Sequence, residues 1–282
     1  MLNMRNYFRL IRADKPIGTW LLFLPCLFGL FLASKNQNVD IIYFSSLFFI
    51  GSFLMRSAGC VINDIFDRKF DKNVQRTKNR PIASGVISVK EALIFLAVLL
   101  CAALLILLQF NIQTIIFGFI SLIFVASYPL MKRIIFYPQA FLGITFNLGI
   151  LFASTAVLGK ITLPIFLLYL ANIVWTIIYD TIYGYQDLQD DLKIGVKSTS
   201  IKFGKNPQKI FFSLVAAYLF LLSLVGLLMN LQFTYYILIS LAFFHLVCQI
   251  KTCNFSSGAD CLEKFKSNVW VGIILLTAII LG

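Results

Sequence analysis

The chain has 282 residues, of which 60% are hydrophobic and only 13% charged, and its mean hydropathy is +0.88. Soluble domains are about 45–50% apolar and about 25% charged, so an ordinary soluble protein and a disordered chain are both excluded. The net charge of +12 lies in short loops between apolar runs, which leaves no polar domain to hold a nucleic acid. The composition therefore predicts an all-α integral membrane protein, with residues 1–282 as one membrane domain.

Nine apolar segments are long enough to cross a membrane as helices, because roughly 20 residues span the hydrocarbon layer. The uncharged run 16–34 predicts the first helix, and residues 41–63 predict the second, interrupted only by Arg56. Residues 92–131 hold two helices, with Gln109, Asn111 and Gln113 at the turn between them. The remaining segments are 134–159, 161–179, two helices within 210–250, and a short ninth at 267–282.

The basic residues are distributed unequally between the two sides of this nine-helix arrangement. One side receives 21 of the 24 Lys and Arg residues, whereas Lys35 and Lys160 alone lie in loops on the other. Lys and Arg accumulate in cytoplasmic loops, so the loaded side is expected to be cytoplasmic. No Arg- and Ser-rich transit segment precedes the first helix, and we therefore expect a multi-pass protein of a bacterial inner membrane.

Six of the 12 acidic residues lie in two short stretches, 63–71 and 187–191, each at the cytoplasmic end of a predicted helix. Residues four apart share one helix face, and like charges at that spacing destabilise a helix unless a cation neutralises them. Magnesium suits paired carboxylates, whereas a calcium-binding EF-hand loop would need a glycine and a terminal glutamate that are not present. Solvated acidic loops would explain the acidity, but not the concentration of half of the acidic residues in two short stretches. The expected Mg²⁺ ligands are Asn63, Asp67, Asp71, Asp187 and Asp191.

The two acidic stretches look like copies of one another. A shift of 124 positions places Asn63 on Asp187 and Asp67 on Asp191. This correspondence predicts two four-helix pseudo-repeats followed by a ninth helix. Both acidic stretches would then face a central cavity at the repeat interface, where transporters also place their binding sites.

Basic residues near the acidic stretches are candidates to bind an anionic ligand, although positive loops are also expected from topology alone. Tyr128 lies one turn before Lys132, which favours that segment as part of the site. Arg56 lies inside a predicted membrane-spanning helix, where burying an arginine in the bilayer is costly, so its side chain usually faces a cavity or a partner. It could pair with Asp180 or hold the carboxylate of a small substrate. The candidate binding residues are Arg56, Asn63, Arg76, Arg80, Lys132, Arg133, Lys193 and Lys197.

Residues 63–71, together with Arg76-Thr77-Lys78-Asn79-Arg80-Pro81, resemble the NDxxDxxxD…RTxxRP signature of the UbiA family of intramembrane aromatic prenyltransferases. Residues 179–199 are similar to the family's second motif, YDTxY…DxxxD…KST. The segments Asp14-Lys15-Pro16-Ile17-Gly18-Thr19-Trp20 and 128–133 resemble the branch that prenylates 4-hydroxybenzoate in ubiquinone biosynthesis. The resemblance covers nearly the whole chain.

The resemblance implies nine helices around a cavity, bound Mg²⁺, a polyprenyl diphosphate donor and a laterally open tunnel for its lipid tail. It implies transfer of the polyprenyl group to the ring carbon ortho to the hydroxyl of 4-hydroxybenzoate, with release of diphosphate. Catalytic roles are implied for Asp67, Asp71, Asp187, Asp191, Tyr128 and Lys132. The lipid bilayer is the only further partner expected, with no obligatory protein partner.

Two alternatives stay open at this point. A related enzyme could use another aromatic acceptor, such as a naphthoate, homogentisate or haem. A transporter would also have a central cavity, but transporters more often place ion sites near the membrane midplane than at one face.

Overall fold

We describe a computed structural model of the protein, which covers residues 4–74, 77–195 and 197–282, without the side chains of residues 132 and 194. Every regular element in these ranges is a helix. Eight helical segments are long and apolar enough to span a membrane, and Ile17–Ala33 is a shorter apolar helix at the position of the first predicted span. The helices are α1 Met4–Leu10, α2 Ile17–Ala33, α3 Ile41–Asp71, α4 Val89–Leu107, α5 Ile112–Ile134, α6 Pro138–Phe146, α7 Leu148–Leu158, α8 Leu163–Gly184, α9 Leu188–Ile194, α10 Thr199–Phe203, α11 Gln208–Leu228, α12 Phe233–Thr252 and α13 Gly258–Leu281.

Polar side chains at the loop boundaries start several of these helices. Asp40 accepts a hydrogen bond from the amide of Tyr43 at the start of α3, and Asn111 caps α5 through the amide of Thr114. Such caps satisfy amides that the first helical turn leaves without partners. The turn predicted at Asn111 is therefore confirmed, because that side chain favours the start of a new helix.

The helices differ from the predicted spans at three main places. The second helix continues two turns beyond Asn63, so the whole first acidic stretch is helical. The ninth helix begins at Gly258 rather than at residue 267. The fifth span is divided into α6 and α7 at Asn147, whose side-chain amide donates to the carbonyl oxygen of Asn172 at 3.1 Å and to Thr176 Oγ1 at 2.9 Å. The side chain thus ties the break to α8 instead of leaving a polar group exposed in the bilayer.

The 124-residue shift that relates the acidic stretches also relates whole helices. It carries α2 onto α6 and α7, α3 onto α8 and α9, α4 onto α11, and α5 onto α12, with every helix end within two turns of its counterpart. The helix order is thus that of two four-helix units followed by α13.

The largest hydrophobic core lies between α2, α7, α8, α11, α12 and α13. At Gly29 of α2, an added Cβ would lie 2.5 Å from the carbonyl oxygen of Ile150, so glycine permits the close approach of α2 and α7. Trp175 of α8 is buried and donates to Asn268 Oδ1 of α13 at 3.0 Å. By contrast, α4 is the least buried of the spanning segments and forms an outer wall.

Candidate active site

A cavity of about 1310 Å³ in the helix bundle is lined by residues of both acidic stretches. Asn63, Asp67 and Asp71 line it from α3, while Asp187 and Asp191 line it from the segment after α8. The arrangement places carboxylate and amide groups from the two pseudo-repeats on the wall of one chamber. Other predicted site residues on this wall are Arg56, Arg80, Tyr128 and Lys197.

The first acidic stretch lies on continuous α-helix, which places Asn63, Asp67 and Asp71 on one face, as their spacing predicts. The side chains of Asp67 and Asp71 are buried, and the Nη1 atom of Arg80 donates to Asp71 Oδ2 at 2.9 Å. A buried carboxylate needs a positive or hydrogen-bonding partner to stay charged. Arg80 comes from the loop after α3 and supplies one.

Asp64 also belongs to this charged cluster, although it is not among the site residues predicted from the sequence. Its carboxylate is only 1% exposed, and its Oδ1 atom accepts from Arg12 Nη2 at 2.7 Å and from Arg80 Nη1 at 3.3 Å. Arg80 is thereby held between Asp64 and Asp71. The signal was available in the sequence, since residues seven apart return to the same helix face. We therefore describe Asp64 as an anchor for two arginines.

The second acidic stretch is built differently, which corrects the expectation of a continuous helix. Helix α8 ends at Gly184, residues Tyr185–Asp187 form one 3₁₀ turn, and Asp187 is the N-cap residue of α9. Glycine weakens a helix, and the Tyr185 hydroxyl donates to the carbonyl oxygen of Gly204 at 2.7 Å, which anchors the turn. Asp187 and Asp191 still face the cavity, but from two elements.

The remaining basic candidates differ in whether they line the cavity. Lys197 lines the cavity and donates to the carbonyl oxygen of Ile134 at 2.9 Å. Arg133 lies 3.7 Å from Asp67 Oδ1 and stacks over the Phe70 ring. The side chain of Lys193 is 76% exposed and pairs with Asp190 at 3.7 Å, and neither Arg133 nor Lys193 is on the described wall of the cavity. Arg76 and the side chain of Lys132 lie outside the described residues.

A second polar group lies deeper in the cavity. Arg56, Tyr128 and Asp180 all line it, and the guanidinium carbon of Arg56 is 5.9 Å from the centroid of the Phe146 ring. Arg56 interacts electrostatically with Asp180, but within the described part of the chain no ion pair of 4 Å or less joins them. The guanidinium is thus not held in an ion pair by a carboxylate of the described residues.

The chemistry of the acidic residues fits Mg²⁺. Among the described residues, no three His, Cys, Asp or Glu side chains form a cluster that could hold a metal ion by themselves. Mg²⁺ is typically held by one or two carboxylates, with water and substrate phosphates completing the shell. Pairs of carboxylates on the wall of an open chamber match that requirement.

Apolar side chains line the rest of the cavity, between α3 and the outer helices α4 and α5. This surface would receive a long hydrocarbon chain. The residues include Leu47, Phe48, Leu100, Leu104, Phe119 and Leu122.

Residues 22–272 match the UbiA prenyltransferase family. The mitochondrial 4-hydroxybenzoate polyprenyltransferase of Arabidopsis thaliana is 46% identical over 99% of this chain and 69% of its own length. The corresponding proteins of Caenorhabditis elegans and Homo sapiens are 43% and 45% identical, over 99% of this chain and 78% and 76% of their lengths.

Solved structures have the same fold. A UbiA homologue from Aeropyrum pernix K1 superposes with a TM-score of 0.78 at 22% identity, covering 93% of this chain and 96% of that one. A UbiA homologue from Archaeoglobus fulgidus, solved with DMAPP and Mg²⁺, gives a TM-score of 0.71 at 18% identity over 96% of this chain and 99% of its own. The match over most of the sequence, together with relatives above 40% identity, shows that this chain belongs to the UbiA prenyltransferase family.

Proposed function

We propose that the protein transfers a polyprenyl group from polyprenyl diphosphate to the ring carbon ortho to the hydroxyl of 4-hydroxybenzoate, and releases diphosphate, in ubiquinone biosynthesis. The observation that carries this proposal is the continuity of one cavity. It joins two acidic stretches at one end of the bundle to an arginine-containing pocket and an apolar passage. A donor with a charged head and a lipid tail needs a charged surface that continues directly into an apolar one.

The diphosphate end of the proposed site is formed by both acidic stretches and the nearby cations. Asn63, Asp67, Asp71, Asp187 and Asp191 would hold Mg²⁺, which when bound supplies charge neutralisation and Lewis acidity to the leaving group. Arg80 already lies at Asp71 and is placed to donate hydrogen bonds to diphosphate oxygens. Guanidinium groups suit this task because their planar fork matches phosphate geometry.

The reaction breaks the bond between the first prenyl carbon and the diphosphate oxygen, which keeps the electron pair. The allylic cation that remains is attacked by the acceptor ring carbon, and that carbon then loses its proton. Fixed positive charge at the leaving group is most valuable where water is excluded. The apolar wall between α3, α4 and α5 would also protect the cation from water.

The acceptor end is assigned to the deeper polar group. Arg56 would bind the benzoate carboxylate, since its guanidinium faces the cavity without an ion pair to a described carboxylate of the protein. Tyr128 lines the same part of the cavity and would contact the aromatic ring or its hydroxyl. Lys132, one turn after Tyr128, is retained as a candidate from the sequence.

We also propose that the acidic stretches face the cytoplasm from a bacterial inner membrane. The charge bias of the loops supports this orientation. The 4-hydroxybenzoate polyprenyltransferases compared above are mitochondrial proteins, so a mitochondrial membrane is the alternative compartment. Fractionation of the source cells distinguishes the two compartments. Protease access to residues 186–209 in sealed vesicles tests which side of the membrane the acidic stretches face.

The test is a membrane assay with labelled aromatic acceptors and a polyprenyl diphosphate. We expect label from 4-hydroxybenzoate to enter the lipid fraction, and a naphthoate or homogentisate acceptor to give little product. Arg56→Ala should raise the KM for 4-hydroxybenzoate far more than the KM for the diphosphate. Preferred use of another acceptor would overturn the acceptor assignment, and equal effects on both KM values would overturn the role of Arg56.

A further inference from the structure

The guanidinium of Arg56 is packed against the backbone of α2 at Gly18. A Cβ atom built on Gly18 would lie 2.5 Å from Arg56 Nε and 2.8 Å from Nη2, distances that real Cβ contacts essentially never show. On another side, the Phe146 ring of α6 lies 5.9 Å from the guanidinium carbon. Arg56 of α3 thus reaches across the cavity to a place bounded by α2 and α6.

The backbone does not require glycine at this position. Gly18 lies in the first turn of α2, and the positive-φ glycines of the described chain are Gly85, Gly159, Gly195 and Gly204. Alanine is favoured over glycine in helices. Space for the arginine, rather than backbone conformation, therefore explains the glycine.

We propose that Gly18 is a positioning residue for acceptor specificity: its missing side chain leaves the space in which the Arg56 guanidinium meets the acceptor's carboxylate. This inference rests on the proposed role of Arg56. A planar guanidinium binds a carboxylate best when both hydrogen bonds form together, so a small displacement weakens the pair. Any side chain at position 18 would move the guanidinium, and an uncharged acceptor would be much less affected.

The experiment uses Gly18→Ala in the full-length, membrane-embedded enzyme. The KM for 4-hydroxybenzoate should rise about tenfold, the loss expected when a hydrogen-bonding site is misaligned. The KM values for the polyprenyl diphosphate and for 4-hydroxybenzamide, which lacks the negative charge, should change less than about twofold, because neither uses a carboxylate–guanidinium pair. In detergent, the increase in melting temperature caused by 4-hydroxybenzoate should also shrink.

Gly51→Ala is the matched control, because it is also a helical glycine, and its new Cβ would meet Ile106 at an ordinary 3.8 Å. It should leave the acceptor KM unchanged. In an Arg56→Ala background, Gly18→Ala should add less than about twofold, since the group that it displaces is gone. The double variant also removes the steric conflict, so a folding defect of Gly18→Ala should disappear in it.

The outcomes separate the two proposals. The inference alone is overturned if Arg56→Ala acts selectively on the acceptor while Gly18→Ala does not. It is also overturned if Gly18→Ala raises the KM for 4-hydroxybenzamide equally or keeps its full effect without Arg56. If Arg56→Ala affects donor and acceptor alike, the proposed role of Arg56 fails, and the inference fails with it.

Discussion

The two acidic stretches occupy equivalent places in the two pseudo-repeats but differ in structure. The first lies on unbroken helix α3, where Asp64, Asp67 and Asp71 are buried and Arg12 and Arg80 form ion pairs with Asp64. The second follows the end of α8 through a 3₁₀ turn, and its Asp190 side chain is 35% exposed. The carboxylates of the first stretch are thus buried in the fold, whereas those of the second are partly exposed to solvent.

The difference shows that two copies of a motif can contribute differently to the free energy of unfolding. A buried charged cluster is expensive to disturb, because breaking it strands a charge away from water. An exposed pair contributes little, because solvent screens it. The first stretch should therefore contribute both to folding stability and to substrate binding, whereas the second should contribute mainly to substrate binding.

Removal of divalent metal should have the largest effect, because both stretches are proposed to act through Mg²⁺. Chelation should lower prenyl transfer by at least about 10³-fold, and added Mg²⁺ should restore it. The measurement is product formation in membranes treated with a chelator and then titrated with Mg²⁺ or Ca²⁺. Activity that survives complete chelation would contradict the role of metal at either stretch.

Asp67→Asn should have the second-largest effect. We expect kcat/KM to fall about 10²–10³-fold, the size typical of losing one group that stabilises the transition state. The Mg²⁺ concentration that gives half-maximal activity should rise as well. Asp190→Asn is the control from the second stretch, because Asp190 is not on the described cavity wall. A similar loss in both variants would remove the functional contrast between these positions.

Asp64→Asn should reduce stability, since it leaves Arg12 and Arg80 without their shared carboxylate. We expect a loss of about 3 kcal/mol, at the low end for breaking a buried ion pair because both arginines are partly exposed. Asp190→Asn should cost no more than about 1 kcal/mol. Thermal unfolding of both variants in the same detergent compares them directly, and equal melting temperatures would show that the first cluster is not a stability element.

Lys193→Ala should have the smallest effect. Its side chain is 76% exposed and pairs with Asp190, so we expect a stability change below about 1 kcal/mol. The KM for the diphosphate should change by less than about twofold, unlike that of Arg80→Ala, which removes a cation from the cavity wall. A large rise in the diphosphate KM of Lys193→Ala would place this lysine at the substrate after all.

Patterns of charge and apolarity predict most of this architecture, because the bilayer restricts the chain to long apolar helices with polar ends. Uncharged runs of residues predict the positions of the helices. The placement of both acidic stretches on one side of the membrane predicts that they face the same cavity. The break at Asn147 could not be predicted, because it depends on hydrogen bonds to Asn172 and Thr176 of another helix. The place of Asp64 on the same helix face as Asp71 could be predicted, but its ion pairs could not, because Arg12 and Arg80 come from segments outside α3.

The hydrogen bond between Trp175 and Asn268 has a consequence for the order of assembly. Helix α13 follows the other described helices in the chain, yet it packs against α2 and α8 as well as against its neighbour α12. Until α13 is inserted, the Trp175 indole lacks its acceptor, and the core around it stays incomplete. Contacts between segments so far apart in sequence form late in folding. The core around Trp175 can therefore be completed only after α13 has entered the bilayer.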